Sequence, residues 1–139
     1  MASGGSSAPT PPSHPRERLR AVRDGLVHLH KQVIESERVP YERAHRPIAS
    51  SGEFLRIVLH DEWFAWLHPL SELIVAIDQA LAEEDPVTES IAAALIERTR
   101  LLLTHGGPVF GPRYREALQQ HPSVLVAHGQ VIGRLATVH

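Results

Sequence analysis

Asp61-Glu62-Trp63-Phe64-Ala65-Trp66-Leu67-His68-Pro69-Leu70-Ser71-Glu72-Leu73-Ile74-Val75-Ala76-Ile77-Asp78-Gln79-Ala80-Leu81 is the stretch on which the fold turns. Trp63, Leu67, Leu70, Ile74, Ile77 and Leu81 recur three and four apart, the period of one helical stripe, with Trp66 and Leu73 on its flank. Asp61 stands where an N-cap belongs. Pro69 removes one amide donor from the ladder, so the expectation is a core helix bent or split near His68.

Working outward toward the C-terminus, Asp85 reads as an N-cap, Pro86 as a first helical residue and Glu89 as a first-turn carboxylate. The helix so begun is expected to bury Val87, Ile91, Ala94, Leu95 and Leu102, and to stop at the pair Gly106-Gly107 in a left-handed turn. Gly111-Pro112 should open the next helical region, with Tyr114, Ala117 and Leu118 on one face, and Pro122 should interrupt it. A last helix, about Ser123 to Ala136, would point Leu125, His128, Val131, Ile132 and Leu135 inward.

Toward the N-terminus, Phe54, Leu55, Ile57 and Val58 make a two-turn apolar helix stopping at His60. Before it, Leu19, Val22, Leu26, Leu29 and Val33 form a second clean stripe, which Pro40 should end or kink near Val39. Residues 1–15 (MASGGSSAPTPPSHP) carry no apolar periodicity with which to offset the entropy of ordering, and read as a flexible tail. No convincing alternating strand occurs. The expected fold is therefore all-α, a four-helix-bundle-like single domain over residues 16–139 with a kinked core helix.

Composition narrows the functional classes. Hydrophobic residues make up 42% of the 139 and charged residues 22%, the balance of an ordinary globular domain. A formal charge of −2 argues against a nucleic-acid partner, which calls for a basic surplus. Without cysteine there is no disulfide, no thiolate metal site and no cysteine nucleophile. No charged-then-apolar leader pattern and no apolar run of membrane-spanning length is present, so the expectation is a cytoplasmic protein with no membrane association.

The segment Trp63-Phe64-Ala65-Trp66-Leu67-His68-Pro69-Leu70-Ser71, continued by Leu73-Ile74 and Ile77-Asp78, resembles a recurring segment of small uncharacterised helical proteins of proteobacteria. The run from Tyr114 to His128 fits the same resemblance. It implies a bacterial origin and brings no activity with it.

Ten histidines make metal or haem the first chemistry to weigh. His68 and Glu72, four apart, share a helix face and supply one piece of a carboxylate-bridged di-iron pattern. His121 and His128, seven apart, need a third ligand such as His60 or His105 to hold an ion. Glu42-x-x-His45 has the spacing of ferritin-like bundles, yet it occurs once where two are required. The set His68, Glu72, His121 and His128 is the candidate site for iron, zinc or haem, with His45 and His60 as further candidates. Ser71 with His68 and Asp78 lacks the strained elbow and oxyanion hole of a hydrolase. Gly106-Gly107-Pro108 lacks the lysine and hydroxyl of a phosphate loop.

The aromatic cluster Trp63, Phe64 and Trp66 points instead to binding. On an α-helix the three cannot enter one core, so at least one should reach the surface or line a groove, where aromatics anchor a protein partner or a second copy. Arg16, Arg18, Arg20 and Arg23 crowd the start of the first helix and read as a solvated face. The leading expectation is a non-enzymatic helical-bundle interaction or regulatory protein, a homodimer through the Trp63–Trp66 helix. The alternative is a metal- or haem-binding bundle acting as a sensor or oxidoreductase.

Overall fold

The computed structural model describes residues 14–136. The expected tail lies almost wholly outside the described residues, and so do residues 137–139. Six α-helices and one 3-10 helix follow in order among the described residues: α1 (Pro15–Ala44), α2 (Ser51–His60), the 3-10 helix Glu62–Leu67, α3 (His68–Ala82), α4 (Glu89–Thr104), α5 (Gly107–Gln120) and α6 (Pro122–Ala136). No strand occurs among them. The described residues are all-α, with six α-helices.

The thirty-residue α1 is the axis of the molecule and packs against α6, α3 and α4. Its stripe Leu19, Val22, Leu26, Leu29 and Val33 is completely buried, as the spacing demands. Each such side chain contributes roughly 1.5–3 kcal/mol by leaving water. Gly25 lies on the same face. A Cβ there would come within 3.0 Å of the Arg134 guanidinium and 3.1 Å of Val131, so the missing side chain is what lets α6 approach α1 closely. Arg134 uses that proximity to donate to the Ala21 carbonyl at 2.7 Å. Pro40 does not end α1, which continues to Ala44.

The second of the two outcomes expected of Pro69 is the one found: the core helix is split at Leu67–His68 into two segments. Asp61 caps the first, accepting from the Trp63 amide at 2.8 Å, but the turn it starts is 3-10. The α-geometry begins at His68 with Pro69 in the first turn, where the missing amide costs nothing because first-turn amides have no intrahelical acceptor. A change of helix type thus takes the place of the expected kink.

Two further starts differ from expectation. Thr88, not Asp85, caps α4, its hydroxyl accepting from the Ile91 amide at 3.1 Å. The buried face is consequently Ala92, Ile96, Thr99 and Leu103, while Ile91 is 44% exposed, Ala94 faces solvent and Leu95 and Leu102 are half-buried. Thr99 is tolerated in the core because its hydroxyl donates to the Leu95 carbonyl at 2.8 Å. Next, α5 begins at Gly107, not Gly111, and runs through Pro112. Gly106 and Gly107 take φ of 71° and 76°, the left-handed stop that the sequence announces. Gly111 closes the corner: a Cβ there would sit 2.5 Å from the His105 carbonyl oxygen. In α6, Val124, Ala127, Val131 and Leu135 turn inward, and Leu125, expected inside, is exposed.

Candidate binding surface and recess

The 3-10 geometry decides where the aromatics go. At three residues per turn Trp63 and Trp66 eclipse each other, and Phe64 is carried about a third of a turn away. Phe64 is buried against Phe54 and Tyr41, with ring centroids 6.1 and 6.0 Å apart. Trp66 is buried against Phe110 at 5.7 Å, with the Arg113 guanidinium over its ring. Trp63 alone is half-buried, standing edge-on to Tyr41. Of the three aromatics expected to form an interaction surface, only Trp63 keeps appreciable accessible area.

Large apolar side chains reach solvent on several helices, among them Val109 on α5, Leu125 and Val126 on α6, and a pair on α2. Ser50 caps this helix by accepting from the Glu53 amide at 3.1 Å. Phe54 is its one buried side chain, and the helix rests mainly on the 3-10 segment. Leu55 and Leu59, one turn apart on the outer face, are 59% and 58% exposed. Arg56 and Glu62 flank them, both exposed, and neither forms an ion pair among the described residues.

A partly enclosed recess of about 210 Å³ opens between α1, the 3-10 helix and α5. Its frame is a chain of contacts. Glu37 accepts from the Trp63 indole N–H at 3.1 Å and from Arg113 at 3.2 Å, and the same guanidinium stacks on Trp66 at 5.1 Å. Glu37 is well covered, with a side chain 13% exposed, so its charge is held by both donors at once.

The histidines disperse. Among the described residues no three His, Asp or Glu side chains come together in an arrangement that would hold a metal ion. His68 and Glu72 are exposed at the start of α3; Glu72 faces a shallow recess beside His105. His121 follows α5 and lines the recess between α1, the 3-10 helix and α5. His128 sits on α6 with its Nδ1 2.7 Å from the buried Tyr114 hydroxyl. Burial pushes the His128 imidazole below its ordinary value and the Tyr114 phenol above its own, so the bond joins two neutral groups. Of the further candidates, His45 stacks on Tyr41 at 4.4 Å, and Glu42 accepts from the Ile48 amide at 2.7 Å. His60 lies apart, in an open recess with Asp61 and Arg56.

Other polar groups also find structural partners. Ser71 pairs with His30 of α1 at 2.9 Å, not with His68, and burial lowers His30 in turn. Asp78 accepts from Arg23 at 2.8 Å. The basic start of α1 is only partly a solvated face. Arg16 donates to the Leu81 carbonyl near the end of α3, and Arg18 pairs with Glu89 at the start of α4. Both act as ties between helices.

No helix among the described residues is long and apolar enough to cross a membrane. Comparison with known protein families, with characterised proteins and with solved structures gives no match. The function has to be read from the residues of this chain.

Proposed function

We propose that the protein is a non-enzymatic helical interaction or regulatory module that pairs with a second copy of itself through the outer face of α2. The observation that carries this reading is the Leu55–Leu59 ridge, two large apolar side chains one turn apart in water on a helix whose only fully buried side chain is Phe54, with Ile57 and Val58 packed partly against the core. In this reading α1, α3, α4 and α6 make up a four-helix bundle, and α2 with the 3-10 helix is the docking element laid over one end.

A twofold contact brings each patch against its own copy, so it requires a self-complementary surface. Arg56 and Glu62 flank the ridge with opposite charge and have no partner of their own among the described residues, which suits an isologous pairing.

Sedimentation equilibrium of the untagged chain tests the proposal. Wild type should sediment at twice the 15.4 kDa chain mass, and Leu59→Glu, which places a carboxylate in the centre of the contact, should sediment at the chain mass with unchanged helical content. A wild-type monomer at every concentration, or near-stoichiometric iron, zinc or haem in protein purified without chelators, overturns it.

A further inference from the structure

We draw no further inference here: the strongest candidate, the uncharged outer face of α6 where Leu125 and Val126 stand exposed beside the bare backbone of Gly129 and Gly133, is an unpartnered apolar face, and nothing in the structure shows what covers it.

Discussion

Helices α1 and α2 are both amphipathic by spacing, yet they do opposite things with their apolar side chains. The five leucines and valines of the α1 stripe are wholly out of water, enclosed by α3, α4 and α6. Of the five large apolar side chains in α2, Phe54 is buried, Ile57 and Val58 are half-buried, and Leu55 and Leu59 face solvent. The difference lies in the number of neighbours. A helix at the centre of a bundle is surrounded and can bury a broad stripe, whereas one resting mainly on a short 3-10 segment can bury only a narrow line. What is left over on α2 is surface available for association.

The sharpest way to break this comparison is to truncate one leucine on each helix. Leu26→Ala should cost roughly 2–5 kcal/mol in urea unfolding, the lost transfer energy plus the cavity left behind. Leu55→Ala, measured at concentrations where the chain is monomeric, should stay within about 0.5 kcal/mol of wild type. Comparable losses from the two would mean that α2 is part of the core.

Acid should also act on the α1 side of the molecule. Burial lowers His30, which joins α1 to α3 through Ser71, and His128, which joins α6 to α5 through Tyr114. Both imidazoles therefore bind protons less readily in the folded chain than in the unfolded one. Stability is full above the unfolded value of about 6.5 and falls as pH drops from there through the lowered folded values. The midpoint of thermal unfolding, followed from pH 7.5 to 5.5, should decline. It should decline less in His30→Gln, which keeps a partner for Ser71 and removes the titration. An identical slope in the variant would exclude His30 from the effect.

The smallest of these effects belongs to the α2 cap. Ser50→Ala removes the acceptor for the Glu53 amide and should cost about 1 kcal/mol, spent locally. Amide exchange should quicken across residues 51–60 and stay unchanged in α1. Faster exchange in both helices would show that they unfold as one unit.

Several features were legible because they are set within a few residues of chain. The α1 stripe, the Asp61 cap and the left-handed stop at Gly106-Gly107 were all visible as spacing or residue type. The α4 face was not. Ile91-Ala92-Ala93-Ala94-Leu95-Ile96 is apolar all the way round, so its periodicity permits more than one buried stripe. The start at Thr88 and the contacts with α1 and α3 select the face carrying Ala92, Ile96 and Thr99. Which of the three aromatics stays accessible was not legible for a related reason: α and 3-10 turns look alike over six residues, but they aim Phe64 and Trp66 differently.

The candidate sites divide in the same way. Pattern could nominate Trp63, but the outer face of α2 depends on what leaves Leu55 and Leu59 uncovered, and no local motif marks that. The recess joins Glu37, Trp63 and Arg113, which are 26 and 76 residues from Glu37 along the chain. The converse holds for the histidines, abundant in sequence yet drawn off in space to Tyr41, Ser71 and Tyr114.

From the sequence alone came the all-α class, the buried stripe of α1 and the glycine stop after α4, because helix propensity, hydrophobic period and backbone freedom are properties of neighbours along the chain. The tertiary structure alone decided which face of α4 turns inward, which aromatics are hidden, and that Glu37, Trp63 and Arg113 frame one recess. Those outcomes depend on which helix packs against which, and a one-dimensional pattern does not carry that information.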